Sequence, residues 1–110
     1  MIKRSVFCSL QFIAMHRWPD APENVDYLRN THRHVFKVAV TAEVQHDDRD
    51  IEFITLKEMV QDYVDRQYAG KDLGRMSCED IAHDILNHFS ILDKVSIAED
   101  GENGATLWRA

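Results

Sequence analysis

The stretch Val6-Phe7-Cys8-Ser9-Leu10-Gln11-Phe12-Ile13-Ala14-Met15-His16 decides the fold. Its even positions read Val, Cys, Leu, Phe, Ala, His, an alternation that marks a strand with one buried face. The stretch His32-Arg33-His34-Val35-Phe36-Lys37-Val38-Ala39-Val40 repeats the pattern, with His, His, Phe, Val and Val on its even positions. His16 ends the first apolar row, and His32 and His34 begin the second. Antiparallel pairing of the two strands brings those ends side by side, so the three imidazoles converge at one end of the sheet. Three neutral imidazoles with a fourth position open form the donor set of a catalytic zinc site. The plainer reading of a His-x-His strand is a pair of solvated or hydrogen-bonded histidines. Parity with the apolar row, and a third histidine at the facing strand end, favour the metal.

The chain's 110 residues suit a single small domain spanning 1–110. With 19 acidic against 13 basic residues the net charge is −6, and no basic cluster offers a surface to a nucleic-acid backbone. No apolar run reaches the length that spans a bilayer. The basic pair Lys3-Arg4 leads into an alternating strand, not into the apolar run of a signal peptide. Cys8 and Cys78 lie far apart without metal-type spacing, and Cys8 falls in the apolar row as a small core residue. A reduced, cytoplasmic setting is the simplest fit.

Residues from about 4 to 15 and from about 34 to 45 read as strands. Between them, His16 to Thr31 holds both prolines, Pro19 and Pro22, with Asp20, Asn24 and Asn30, and reads as a long loop. His46 to Asp50 is a polar turn, and Ile51 to Ile54 a short apolar stretch. Thr55-Leu56-Lys57-Glu58 has the form of a capping box, with Thr55 as cap and Glu58 reaching back. Leu56, Met59, Val60, Tyr63 and Val64 then recur on one helical face, and Gly70 stops the helix. Ser77-Cys78-Glu79-Asp80 opens a second helix with a buried stripe of Ile81, Ala82, Ile85, Leu86 and Phe89. Its solvated side carries His83, Asp84 and Asn87. Val95 to Glu99 and Ala105 to Arg109 flank the turn residues Asp100-Gly101-Glu102-Asn103-Gly104 as a hairpin.

The order strand, strand, helix, helix, strand, strand predicts an α+β fold, with both helices on one face of a four-stranded antiparallel sheet. Glu99 shares a face with Val95 and Ile97 and so ends an apolar row, as the histidines do. Sheet order decides whether it joins them or sits solvated at a strand end. A four-stranded sheet in so short a chain leaves edges open, which favours assembly with further copies.

These pieces resemble the 6-pyruvoyltetrahydropterin synthase family, which includes the bacterial 6-carboxytetrahydropterin synthases of queuosine synthesis. The family's first strand ends Phe-x-Ala-x-His, here Phe12-Ile13-Ala14-Met15-His16 followed by Arg17. Its His-Gly-His is matched by His32-Arg33-His34, with Arg33 in place of Gly and on the opposite face from the histidines. An Asp-Phe-x-x-Leu-Lys stretch opens the family's first helix, and this chain has Glu52-Phe53-Ile54-Thr55-Leu56-Lys57. The start of the second helix is matched loosely by Met76 to Ala82, and a ring-anchoring Glu in the next strand by Glu99. The resemblance covers nearly the whole chain.

It implies a tunnelling-fold domain that assembles into an oligomeric barrel, a trimer or a hexamer with sites at subunit interfaces. It implies a Zn2+ cofactor on His16, His32 and His34, with Glu99 and Ser77 contacting a pterin-like small molecule, and neither a nucleic-acid nor a membrane partner. The activity it implies is a zinc-dependent lyase reaction on dihydroneopterin triphosphate or a related pterin. Two departures stand against the standard reaction. The family's catalytic Cys lies four residues before the first histidine of the His-Gly-His motif, and that position is Leu28. The family's Asp-His pair between the helices is absent from Tyr68 to Arg75, where Asp72 alone could be a remnant. His46 and His88 are the other imidazoles that could move a proton, although each reads as a surface histidine. The alternative is therefore a zinc- and pterin- or purine-binding pseudoenzyme or ligand sensor. A purely structural β-rich oligomer requires the histidine parity to be accidental.

Overall fold

The computed structural model describes residues 1–110 and has the α+β order read from the sequence. Strand β1 (Arg4–His16) and strand β2 (His32–Val44) are both thirteen residues long. Helices α1 (Phe53–Gln67) and α2 (Cys78–His88) follow, then the hairpin of β3 (Lys94–Glu99) and β4 (Asn103–Trp108). The sheet is antiparallel throughout, in the order β1-β2-β3-β4. No helix is long and apolar enough to cross a membrane.

Period-two patterning does what the sequence implied. On β1 the even positions Cys8, Leu10, Phe12, Ala14 and His16 are buried, and on β2 so are Phe36, Val38, Val40, Ala42 and Val44. Both helices pack on this face. They contribute Leu56, Val60 and Val64 from α1 and Ile81, Ala82 and Ile85 from α2 to one continuous core. Burial of this kind contributes about 1.5–3 kcal/mol per large apolar side chain. The opposite face of the sheet is uncovered and leaves Phe7 and Trp108 about two-thirds exposed.

Several local expectations are corrected. Helix α1 begins two residues before Thr55, because Glu52 is its cap. The Glu52 carboxylate accepts the N–H groups of Ile54 at 2.7 Å and Thr55 at 2.9 Å, and the Thr55 hydroxyl also donates to it. Two satisfied first-turn donors outweigh the Thr55–Glu58 box. Met59 is 45% exposed and lies outside the buried stripe. Part of the His16–Thr31 loop is a kinked 3-10 segment, Glu23–Arg29, tied down where the Trp18 N–H donates to Leu28 O at 2.7 Å. The hairpin turn contracts to three residues, Asp100 to Glu102, with Asp100 and Gly101 at positive φ. Gly104 in β4 lies so close to the backbone of Ile97 and Ala98 that a Cβ would collide with it.

Asp84 is the largest correction among the helical residues. It does not face solvent but accepts hydrogen bonds from the hydroxyls of Tyr63, at 2.8 Å, and Tyr68. The two tyrosines are nearly fully buried, and His88 stacks on Tyr63 with ring centroids 3.9 Å apart. Burial, aided by the Asp84 carboxylate, pushes the Tyr63 hydroxyl up to about 12 and Tyr68 higher still. Both therefore remain donors at any ordinary pH, and α1 is pinned to α2 through one carboxylate. Asp84→Ala leaves two buried hydroxyls without an acceptor, each costing about 1–3 kcal/mol. Urea unfolding is expected to show a loss of roughly 2 kcal/mol or more, with part recovered when Tyr63→Phe and Tyr68→Phe are added. An Asp84→Ala chain as stable as the parent would show that the pin carries no weight.

Candidate metal centre and its cavity

Register builds the site. His16 pairs directly with His32, Ala14 with His34, and on the other side of β2 Phe36 pairs with Glu99. Sheet order therefore places β3 beside β2 and brings Glu99 to the histidines, which strand parity left open. The three imidazole centroids lie 4.6–5.3 Å apart, over the edge of the fully buried Phe36 ring. One ligand atom from each of His16, His32, His34 and Glu99 falls within 4.8 Å of all the others.

The outer nitrogens of the three rings are already committed. Nδ1 of His16 bonds the Met76 carbonyl at 2.8 Å and Nδ1 of His32 bonds the Asn30 carbonyl at 2.8 Å. Nδ1 of His34 bonds an Asp100 carboxylate oxygen at 2.7 Å. All three partners can only accept, so each Nδ1 carries the proton and each neutral ring turns an Nε2 lone pair inward. Nε2 of His16 and of His34 are buried and lack a hydrogen bond. The His16 atom lies 2.9 Å from Glu99 Oε2, off the line of a hydrogen bond, and this contact is an ion pair only when the ring is protonated. Buried nitrogens that converge without partners, on rings fixed from behind, fit a cation of the imidazole-binding transition series.

Without an ion, the contact with Glu99 raises the His16 pKa above its ordinary 6.5 against the opposing effect of burial, with Met76 adding to the rise. Reciprocally, His16 first and the other two imidazoles after it hold the Glu99 carboxyl below its ordinary 4.5.

The cluster opens into a cavity of about 580 Å³ lined by His16, His32 and Glu99 together with Trp18, Leu28, Ser77 and Cys78. Leu28 thus faces the space that a thiol in its position would face. Ser77 lines the cavity but also caps α2, its Oγ accepting the Asp80 N–H at 3.0 Å while Asp80 accepts the Ser77 N–H. Cys78 is buried at the cavity wall, a position that spacing gave no reason to suspect. Burial, with Glu99 and Glu79 adding to it, pushes its thiol up to about 12, so it is neutral and a poor nucleophile.

Asp72 takes no part in the cluster. Its carboxylate accepts the Gly74 N–H at 2.9 Å within a segment that runs along β1 beside Met15. That segment shapes the site indirectly, since Arg17 N–H donates to Gly74 O at 2.8 Å and Met76 follows to hold His16. His46 pairs with Asp50 and His88 packs on Tyr63, both away from the cluster. Arg33 is exposed on the opposite face. A second depression of about 540 Å³ at the far end of the sheet is lined by mixed charges such as Lys3, Arg4, Glu43 and Asp93. It gathers no converging ligand atoms.

No family model matches the sequence, and no curated protein matches it. Among solved structures, the 6-pyruvoyl tetrahydropterin synthase of Caenorhabditis elegans superposes with a TM-score of 0.78 at 17% identity, covering 100% of this chain and 98% of that one. An uncharacterized protein of Wolinella succinogenes superposes with a TM-score of 0.71 at 13% identity, covering 100% of both chains. Sequence identity this low makes the likeness one of fold. The sheet order, the helices on one face and the full-length superposition give this chain the tunnelling-fold architecture of the nematode synthase.

Proposed function

We propose that the chain is a zinc-dependent lyase of the 6-pyruvoyl/6-carboxytetrahydropterin synthase type, acting on dihydroneopterin triphosphate or a related pterin. The observation that carries this reading is the set of three imidazoles with Nδ1 bonded outward and Nε2 turned inward at the mouth of a cavity. The fold shared with the nematode 6-pyruvoyl tetrahydropterin synthase adds to it. His16, His32 and His34 hold the ion, and Glu99 accepts the ring amide N–H and exocyclic amine of the substrate. Two parallel N–H donors on one carboxylate select pterins and guanine-like rings over adenine. A bound zinc ion supplies Lewis-acid polarisation of a substrate oxygen. Trp18 and Leu28 provide apolar walls for a flat ring, and Ser77, whose Oγ accepts for the cap, still has a hydroxyl proton to offer. The open edge of β4, the part of the β1 edge before Ile13, and the exposed Phe7 and Trp108 suit assembly into a trimer or a hexamer, with cytoplasmic residence as the accompanying expectation.

A second reading, binding without turnover, is favoured by one observation. Leu28 faces the cavity where the resemblance places a thiol, and Cys78 is too weak an acid to replace it. Supplying dihydroneopterin triphosphate to the zinc-loaded protein and following triphosphate release separates the two. Release that Glu99→Gln abolishes and Leu28→Ala leaves intact supports the lyase. Saturable pterin binding without release supports the sensor.

Metal content of the purified protein tests the centre itself. About one zinc per chain in the parent and none in the His32→Ala/His34→Ala double variant is the expected result. Zinc retained by Glu99→Gln, together with lost pterin binding, makes Glu99 a ring anchor. Zinc lost with it makes Glu99 a metal ligand and overturns its assigned role.

Proton competition follows from the His16–Glu99 pair. Its contribution through His16 is full below the ordinary value of 6.5 and fades as pH rises through the raised pKa. Its contribution through Glu99 is full above the ordinary 4.5 and fades as pH falls through the lowered pKa. Metal-free protein is thus expected to gain most from the pair between those two values, a maximum that flattens in Glu99→Gln. Zinc must displace the His16 proton, so its affinity rises with pH and the rise is centred lower in Glu99→Gln. Identical pH profiles for parent and variant would refute the coupling.

A further inference from the structure

The three rings of the cluster are not held from behind in the same way. His16 and His32 donate to backbone carbonyls, those of Met76 and Asn30, whereas His34 donates to a carboxylate, Oδ2 of Asp100, at 2.7 Å. Asp100 follows Glu99 directly and is the first residue of the β3–β4 turn, where it takes a left-handed backbone with φ 56. Asp tolerates that conformation better than most side chains. Its main chain and side chain both grip one residue of β2. The Asp100 N–H donates to Val35 O at 2.8 Å, and the Val35 N–H donates to Asp100 Oδ1 at 3.0 Å. One carboxylate oxygen is therefore spent on locking the turn to β2, and the other is aimed at the imidazole of the adjacent His34.

We infer that Asp100 is the positioning residue of the metal centre, its carboxylate fixing His34 as the Nδ1–H tautomer and making it the most electron-rich of the three ligands. The inference rests on the metal-site reading above and extends it to a residue that the histidine pattern does not contain. A carboxylate can only accept, so the proton must sit on Nδ1 and the lone pair on the buried, otherwise unpartnered Nε2. A negatively charged acceptor behind a ligating imidazole raises its basicity more than a neutral carbonyl does, and such partners typically govern metal affinity by 10–100-fold. Glu99 and Asp100 thus divide the work between neighbouring positions. The first faces the ion and cavity, and the second supports a ligand from outside.

Asp100→Asn is the discriminating change. The amide oxygen can keep the Val35 N–H, and Asn also tolerates positive φ. Its NH2 group then faces His34 Nδ1, which must accept, and the ring proton moves to Nε2, out of register with a metal. The expected results are a 10–100-fold weaker zinc affinity in chelator competition, and a switch of the His34 tautomer in side-chain nitrogen NMR of the metal-free protein at pH 8. Unchanged circular dichroism is expected alongside. Asp100→Ser, which keeps a hydroxyl for Val35 but removes the carboxylate, serves if the first variant does not fold, with a zinc loss of the same size. Affinity within twofold of the parent, or an Nε2–H His34 in the parent itself, overturns the inference while leaving the metal centre standing. A parent that binds no zinc overturns both.

Discussion

The in-register pairing of β1 with β2 is the constraint on which everything else in this molecule rests. His16 faces His32 across the ladder, and Phe12 faces Phe36 four pairs further in, with ring centroids stacked 5.1 Å apart. A slip of one residue would turn one strand's apolar row to solvent and its histidines to the wrong face. The core therefore enforces the site: the burial of Leu10, Phe12, Val38 and Val40 holds the register that makes three imidazoles meet. Because strand ends fray and the histidines sit at the end, local supports must take over where the core runs out. The segment after α1 provides one, clasping β1 through Gly70 N–H to Ile13 O at 2.7 Å and Leu73 N–H to Met15 O at 2.7 Å. The sheet gains a short fifth edge beside His16, and the carbonyl of Met76 follows from it.

That division explains what could be read in advance. Period-two alternation is a property of single residues in order, so β1, β2 and the histidine face were legible from residues alone. The core stripe of α2 and its Ser77–Asp80 box were legible for the same reason, being local. Glu99 was legible as the end of an apolar row but not as a neighbour of His16, because sheet order is a long-range fact. Its side chain joined the cluster only when β3 settled beside β2. Asp84 misled because helical periodicity assigns faces and not partners. It sits between apolar stripe and solvent, and two buried tyrosine hydroxyls, Tyr63 in α1 and Tyr68 just after it, claimed it. At the start of α1 the local rule picked the wrong cap. Thr55 had the favoured residue type, but Glu52 reached two backbone donors at once. The stretch aligned by family resemblance opened the helix at Glu52, the cap itself, three residues before the Thr55 that the capping rule chose.

The supports behind the histidines were the least legible part of the site. Two of the three are backbone carbonyls, which any residue could supply, so no side-chain pattern marks Met76 or Asn30. The third is a side chain, Asp100, but its residue type is also what a tight turn favours. In the sequence the turn explanation was sufficient and concealed the other. Only the clamp on Val35, with one oxygen left over and pointed at His34, separates a turn former from a ligand support.

The departures at Leu28 and Cys78 constrain the chemistry further. A leucine on the cavity wall raises local apolarity and offers no ionisable group at that position. The buried thiol of Cys78 in the same wall lining is kept neutral by burial and by the Glu99 and Glu79 carboxylates, so the cavity contains no ready thiolate. The side chains that converge are gathered at one end: three imidazoles and the carboxylate of Glu99. Away from that end the cavity's proton-carrying carboxylates are Glu79 and Asp80, and Asp80 is spent on capping α2. The geometry concentrates the chemistry where the register of two strands first placed it.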